Sequence, residues 1–201
     1  VTQGLTPGGP DLGGASQIAL QKPRIVMMTG SGISVYDAGE LWYLLDHQME
    51  TPVTMRDGED FGSLALHRYT HVIIPDGTPP LSEQEVLNLR NWVAAGGTLI
   101  ATQRSAHWAA KNGFGTSVTL TENGEDADPQ RFAFAEQNER EARDRIAGAV
   151  FATDTDLTHP IAFGIGLDDM PVHRDMETFF EKHSDPYATV AAYKDNALIS
   201  G

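Results

Sequence analysis

The sequence contains no cysteine among its 201 residues. This absence excludes disulfide bonds, thiolate metal sites and a cysteine nucleophile together. Basic residues are also scarce: 14 Lys and Arg stand against 28 Asp and Glu, so the formal net charge is −14. A surface of this charge repels phosphate backbones and anionic lipid headgroups. We therefore expect neither nucleic acid nor a membrane surface as a partner.

Long apolar stretches are missing as well. No run approaches the roughly 20 apolar residues that a transmembrane helix requires. The first residues, VTQGLTPGGPDLGGASQ, lack the basic start and the apolar centre of a signal peptide. They do not begin with Met, and the last residues, NALISG, end on an apolar run. We expect the chain to be a piece of a longer protein, truncated at its C-terminus.

The composition changes near residue 24. Residues 1–23 are rich in Gly, Pro, Ser and Thr, which predicts a linker or the tail of an upstream domain. From there on, short apolar runs alternate with amphipathic stretches, so we expect one domain over 24–201. Short continuous apolar runs are typical of strands that are buried on both faces. The predicted strands are 24–29, 52–57, 71–76, 98–102, 148–153 and 188–194.

Amphipathic stretches between these runs predict helices. Ser82, followed by Glu85, has the pattern of a capping box, and Gly96 with Gly97 is typical of a helix end. Strands that alternate with helices predict an α/β fold with a mostly parallel sheet covered on both sides. A ligand site in such a sheet lies at the C-terminal ends of the strands, here TGSGIS, PDGTPP and TQRSAH. The predicted helices are 36–46, 83–95 and 130–147.

The turn TGSGIS follows the first predicted strand. Gly30, Ser31 and Gly32 could cradle a phosphate on their backbone N–H groups. The dinucleotide-binding fingerprint requires a third glycine where Val35 stands, and the phosphate-loop Gly-Lys-Ser or Gly-Lys-Thr is absent. We interpret the stretch as a tight turn, with a pocket for a small anion as the alternative.

The stretch TQRSAH follows strand 98–102, at a strand-to-helix turn of the kind that carries the nucleophile in many α/β enzymes. Ser105 and His107 are two residues apart, so on a helix they face different directions and cannot pair. The Gly-x-Ser-x-Gly pattern of a nucleophile elbow is not met. We expect Ser105 to cap the following helix instead.

The sequence HQME raises the question of a metal. His47 and Glu50 have the HxxE spacing of two zinc ligands in carboxypeptidases, and His159 or His173 could supply a third. The pattern is short and occurs often by chance. Since His47 ends an amphipathic stretch, we interpret it as a surface residue and expect no metal site.

The phrase DTDLTHPIAFG covers residues 154–164. Pro160 suits the first position of a short helical turn, which Thr158 or Asp156 could cap. His159 could instead reach toward a pocket. We favour the structural interpretation and keep His159 as a candidate ligand-binding residue.

Several stretches together resemble one protein family. They are RIVMMTGSGISVYDAGELWYLLD, LRNWVAAGGTLIAT with the following SAHWA, GAVFATDTDLTHPIAFG and DPYATVAAYKDNALISG. They are similar to the amidotransferase-like domain that follows the catalytic domain in a group of large bacterial zinc carboxypeptidases. The resemblance covers roughly residues 20–201. It implies the fold of class I glutamine amidotransferases, a flavodoxin-like three-layer sandwich.

The resemblance does not imply amidotransferase activity. Working enzymes of this class have a Cys at the turn after the strand that corresponds to TLIAT, and this sequence has TQRSA there. Gln103 or Arg104 is expected near the position of that nucleophile. Neither can replace it, because an amide has no basic lone pair and a guanidinium stays protonated. Arg104 could instead hold a carboxylate. We therefore expect no catalytic residue in this chain.

The resemblance implies a non-catalytic accessory domain of a secreted zinc carboxypeptidase. Its zinc is expected in the upstream catalytic domain, and no cofactor is expected in this chain. The expected partners are that upstream peptidase domain and, in a homo-oligomer, further copies of the chain; the expected location is periplasmic or extracellular. The candidate ligand-binding residues are Gly30, Ser31, Gly32, Gln103, Arg104, Ser105 and His159.

Two other functions remain open at this stage. One is a stand-alone hydrolase that uses Ser105 or a carboxylate such as Glu40. The other is a module that binds a small anion at the turn 29–34.

Overall fold

The computed structural model describes residues 19–115, 148–174 and 179–201, with short stretches at 8–9, 13–14, 120–121 and 133–138. Most of the predicted linker 1–23 and of the predicted helix 130–147 lies outside these ranges. In the part of the predicted helix 130–147 that is described, Phe134–Glu136 form a 3-10 helix. In the described ranges, none of the helices is long and apolar enough to cross a lipid bilayer.

A four-stranded parallel sheet forms the first half of the chain. Its spatial order is β2-β1-β3-β4, and every neighbouring pair is parallel. The prediction that the strands near 24–29, 71–75 and 98–102 lie side by side and parallel is confirmed. The strands are β1 (Ile25–Thr29), β2 (Val53–Asp57), β3 (His71–Ile74) and β4 (Thr98–Ala101).

The core of the protein lies around β1 and β3. The four consecutive residues from Ile25 to Met28 are only 0–7% exposed, and Val72 to Ile74 are 0–4% exposed. Because successive side chains of a strand point to opposite faces, both faces of the sheet are covered at these two strands. The edge strand β2 is more exposed, with Met55 open to solvent.

Three α-helices connect or follow the strands of this sheet. They are α1 (Val35–Trp42), α2 (Glu83–Ala94) and α3 (Gln103–Lys111). Helix α1 continues directly as a π-helix over Tyr43–Gln48, so the predicted helix 36–46 is present but changes its winding. Leu41 and Leu45 pack against the core, whereas Leu44 is 40% exposed. The connection from β2 to β3 contains only two 3-10 helices, Phe61–Ser63 and Leu66–Arg68.

The predicted capping box at the start of α2 is confirmed. The Ser82 hydroxyl accepts a hydrogen bond from the Glu85 backbone N–H, and the Glu85 carboxylate accepts one from the Ser82 backbone N–H at 2.8 Å. The Ser82 hydroxyl also donates to that carboxylate at 2.6 Å. These bonds hold the pKa of Glu85 below its ordinary value, the Ser82 side chain having the largest effect. Two N–H groups that a helix start leaves unpaired are thereby satisfied.

Replacing Ser82 with alanine is expected to lower the free energy of unfolding by about 1 kcal/mol, because the helix loses its N-cap acceptor. Urea unfolding followed by tryptophan fluorescence measures this. Ser82→Thr is the matched control, since it keeps the hydroxyl. Equal losses in the two variants would show that the cap contributes nothing.

The second half of the chain forms antiparallel sheets. Strand β6 (Ala149–Thr155) lies between β7 (Pro171–Arg174) and β9 (Ala191–Ser200), and it is antiparallel to both. A two-residue pair joins β5 (Leu120–Thr121) to β8 (Phe179–Phe180). The strands predicted near 148–153 and 188–194 are therefore present, and they pair in an antiparallel sheet rather than in the parallel one. The connection from β6 to β7 holds only the 3-10 helix Pro160–Ala162, not a crossover helix, so the chain turns back.

Candidate functional site

The loops that follow β1, β3 and β4 meet at the C-terminal edge of the parallel sheet. The backbone N–H of Ser34 donates to the carbonyl of Asp76 at 2.8 Å, and the N–H of Thr78 donates to the carbonyl of Gly32 at 2.8 Å. Ile33 and Gly77 form an isolated β-bridge between the same two loops. These contacts join the turns TGSGIS and PDGTPP, and hydrogen bonds from Gln103 to Asp37 and from Arg104 to Asp76 bring the turn TQRSAH to the same edge, as the strand directions require.

The turn from β4 into α3 is sharply bent at Gln103. This residue has φ = +50°, one of three positive values at non-glycine residues within the described part of the chain. A positive φ raises the conformational energy of any residue that has a Cβ, and strained residues of this kind cluster at functional turns. The Gln103 side-chain amide donates to the carboxylate of Asp37 at 2.9 Å, and that carboxylate also accepts from the Ser34 hydroxyl at 2.5 Å.

Asp76 and Arg104 form the ion pair of this edge. The Asp76 carboxylate accepts from Arg104 Nε at 2.9 Å and from Nη2 at 2.5 Å. It also accepts from the Arg104 backbone N–H at 3.1 Å, so it caps the N-terminus of α3 from a neighbouring loop. The Arg104 guanidinium hydrogen bonds hold the pKa of Asp76 below its ordinary value, and Asp76 raises the pKa of Arg104. Arg104 does hold a carboxylate, but the carboxylate belongs to this chain.

Ser105 does not cap α3, so that prediction is wrong. Thr102 occupies the N-cap position, and Ser105 lies inside the helix with 0% exposure. Its hydroxyl donates to the Pro75 carbonyl at 2.5 Å and lies 3.1 Å from the Gly77 carbonyl. The hydroxyl therefore joins α3 to the loop after β3. Because carbonyl oxygens do not take up its proton, Ser105 contacts no activating base within the described part of the chain.

The turn after β1 already faces an internal carboxylate. The Ser31 N–H lies 3.4 Å from each carboxylate oxygen of Asp57, and the Glu59 N–H donates to the same group at 3.0 Å. These backbone hydrogen bonds, that of Glu59 first, hold the pKa of Asp57 below its ordinary value. A Cβ added to Gly30 would overlap the Asp57 carboxylate, so the space over this turn is occupied. A phosphate at this turn would have to displace Asp57.

The histidines of the sequence motifs lie elsewhere. His159 is the N-cap of the 3-10 helix Pro160–Ala162, and its Nδ1 accepts from the Ile161 N–H at 3.1 Å. Pro160 occupies the predicted first position, but the cap is His159 rather than Thr158 or Asp156. His47 is exposed and lies against the Tyr43 ring, with ring centroids 5.0 Å apart.

Glu50 follows the π-helix with φ = +51°. Within the described ranges, no three His, Cys, Asp or Glu residues are grouped so that they could hold a metal ion.

Asp37 and Asp76 are the site residues that sequence reasoning did not single out. Asp76 directly follows β3, inside the stretch PDGTPP, so its position at the strand end was the available signal. Together with Asp57, these carboxylates outnumber Arg104 at this edge. The edge is therefore an acidic, internally hydrogen-bonded surface, which disfavours an anionic ligand. It offers side chains that orient α3 but no activated nucleophile among the described residues.

Comparison of the chain with protein-family models, with curated proteins and with solved structures gave no match.

Proposed function

We propose that this chain is a non-catalytic, amidotransferase-like accessory domain of a secreted zinc carboxypeptidase. In this role it packs on the upstream peptidase domain or joins copies of the protein into a homo-oligomer. The zinc belongs to the upstream domain, and the parent protein is periplasmic or extracellular. The resemblance of the longer stretches to that family motivates the proposal, and the geometry of the sheet edge supports it.

The strand order supports the flavodoxin-like part of the proposal. Doubly wound sheets of the flavodoxin type begin with the order 2-1-3-4, and the parallel sheet has this order. Both faces of β1 and β3 are buried, as a three-layer arrangement requires.

The observation that carries the proposal is the turn at Gln103. It keeps a strained backbone of the kind that exposes a nucleophile at a strand-to-helix elbow, with φ = +50°. The side chain placed there is an amide that is hydrogen-bonded to Asp37. The Ser105 hydroxyl, two residues further along the chain, is buried and donates to a carbonyl. The turn therefore keeps the architecture of an elbow and lacks its chemistry.

Exposed apolar side chains on α1 and the following π-helix are compatible with a packing role. Val35 is 69% exposed, Tyr36 82% and Tyr43 47%, and Met49, directly after the π-helix, is 60% exposed. Exposed apolar surface of this kind is what another domain covers when it packs on a helix.

We expect the purified chain to turn over neither glutamine, nor p-nitrophenyl esters, nor peptides with a free C-terminus. The reason is that Ser105 is buried without a base and that no other activated nucleophile lies at the sheet edge of the described residues. Product formation measured by absorbance and mass spectrometry tests this. Turnover that disappears in Ser105→Ala or Glu40→Gln, but not in Ser63→Ala, would overturn the proposal in favour of a hydrolase.

The absence of cysteine permits a second arm of the same experiment. The cysteine introduced by Gln103→Cys is expected to react with iodoacetamide at least about tenfold faster than the cysteine introduced by Ser105→Cys. The reason is that, of the two positions, only 103 reaches the surface of the turn. Faster labelling of Ser105→Cys would show that the serine is the exposed residue and would also favour the hydrolase.

A further inference from the structure

A cleft at the opposite edge of the parallel sheet, where β1, β2 and β3 begin, is not used by the proposed function. Its volume is about 560 Å³, within the range of small-molecule sites. Ile25, Pro52 and Tyr69 supply apolar surface, and Thr54 lies on the edge strand. The cleft is lined by Gln21, Lys22, Pro23, Arg24, Ile25, Pro52, Thr54, Arg68 and Tyr69.

The charge of this cleft is opposite to that of the chain. Lys22, Arg24 and Arg68 line it, and the described residues of its lining include no Asp or Glu. The whole chain has 14 basic residues and a formal net charge of −14. Three cations that share one concave surface without a carboxylate are therefore a local reversal of the charge. Such a surface concentrates anions from solution.

The backbone of Arg24 holds this arrangement in place. Its N–H donates to the Thr70 hydroxyl at 2.8 Å, and its carbonyl accepts from the Thr70 and His71 N–H groups. The Arg24 side chain is also fixed, because Nε donates to the Arg68 carbonyl at 2.6 Å. Its two terminal nitrogens remain for another acceptor.

The cations of this cleft differ from Arg104 in that none of them pairs with a carboxylate of the described residues. Within the described residues, the Lys22 ammonium, the Arg68 guanidinium and the terminal nitrogens of Arg24 make no hydrogen bond or ion pair. Arg104, in contrast, is neutralised by Asp76. Guanidinium groups bind carboxylates and phosphates through paired N–H donors, and an ammonium adds a further point charge.

We propose that this cleft binds a small organic dianion, a dicarboxylate or a phosphate monoester, with Lys22, Arg24 and Arg68 holding the anionic groups. The carbon skeleton of the ligand lies against Ile25 and Tyr69. The site is separate from the turn at Gln103 and stands whether or not the accessory-domain proposal is correct.

Calorimetric titration with succinate and with inorganic phosphate, at an ionic strength of about 20 mM, tests the proposal. We expect saturable binding of at least one dianion with one site per chain, and no binding of the uncharged succinamide. Binding of only succinate or only phosphate identifies which oxyanion the site takes. Failure of both dianions to bind at millimolar concentration would overturn the proposal.

Variants locate the site. Arg68→Gln and Lys22→Gln each remove an exposed charge without an internal partner, and each is expected to weaken binding at least about tenfold. Arg90→Gln, on α2 and outside the cleft, removes the same positive charge as Arg68→Gln. It is expected to leave the affinity within about twofold of the wild type. An equal loss in Arg90→Gln and Arg68→Gln would mean attraction by overall charge, which would overturn the cleft as the site.

Discussion

Asp76→Ala is expected to lower the free energy of unfolding by about 3 kcal/mol, since charged hydrogen bonds and a helix cap are lost together. The Asp76 side chain is only 7% exposed and accepts from both the side chain and the backbone of Arg104. Its removal leaves the Arg104 backbone N–H without this acceptor and the guanidinium without its counter-charge. Urea unfolding followed by circular dichroism measures the loss.

The matched control for this prediction is Asp195→Ala. Asp195 is exposed on β9, so the same change of charge is expected to alter the free energy of unfolding by less than about 0.5 kcal/mol. A similar loss in the two variants would contradict the special role of Asp76.

The same ion pair predicts a pH dependence. Hydrogen bonding to Arg104 lowers the pKa of Asp76 from its ordinary value of 3.8. The ionised carboxylate therefore stabilises the folded state above pH 3.8, and this contribution is lost as the pH falls through the lower pKa of the folded state. The difference in unfolding free energy between the wild type and Asp76→Asn should be constant near neutral pH and shrink in acid. A difference that stays constant from about pH 7 down to about pH 2.5 would rule out the carboxylate charge as its source.

Gly32→Ala is expected to lower the free energy of unfolding by at least about 3 kcal/mol, from backbone strain and from steric overlap together. Gly32 has φ = +77°, which disfavours any residue with a Cβ. A Cβ there would also overlap the Thr78 carbonyl oxygen, in the loop that meets it from β3. Because that oxygen belongs to the backbone, the neighbour cannot rotate away.

Two other glycines separate these effects. Gly96 has φ = +104° but no heavy atom within 4 Å of an added Cβ, so Gly96→Ala should show the strain alone, about 1–2 kcal/mol. Gly39 lies in α1 with open space and no positive φ. Gly39→Ala should stabilise the protein by about 0.5–1 kcal/mol. Chemical denaturation of the three variants gives the order, and a loss at Gly32 no larger than that at Gly96 would exclude the overlap.

Local chemistry explains what the sequence could predict. The run at Ile25–Thr29 is apolar without alternation, which is typical of a strand covered on both faces, and the structure has it so. Ser82 and Glu85 are three residues apart, so their capping box depends on no other part of the chain. The strand directions then brought the loops after β1, β3 and β4 to one edge.

Long-range contacts explain what the sequence could not predict. Asp76 and Arg104 are 28 residues apart, and nothing in either local sequence indicates that one caps the helix of the other. Serine is a residue type favoured at the N-cap, but the hydroxyl of Ser105 donates to carbonyls of the loop after β3. Likewise the sequence of β6 predicts a strand but not the direction of its neighbours. The direction depends on its pairing with β7 and β9, which are both antiparallel to it.

The position of β1 at the inside of the parallel sheet affects how the chain folds as the ribosome delivers it. Ile25 pairs with Val53 on one side and with His71 on the other. Strand β1 is therefore synthesised before either of the strands with which it pairs. During that interval its apolar side chains have no sheet to pack in, and exposed apolar surface of this kind is prone to aggregate. Once Ala101 has emerged, every strand of this sheet is present, while Ala149, where β6 begins, is still to be translated. The parallel sheet can therefore be completed before the sheet of β6, β7 and β9 has been synthesised.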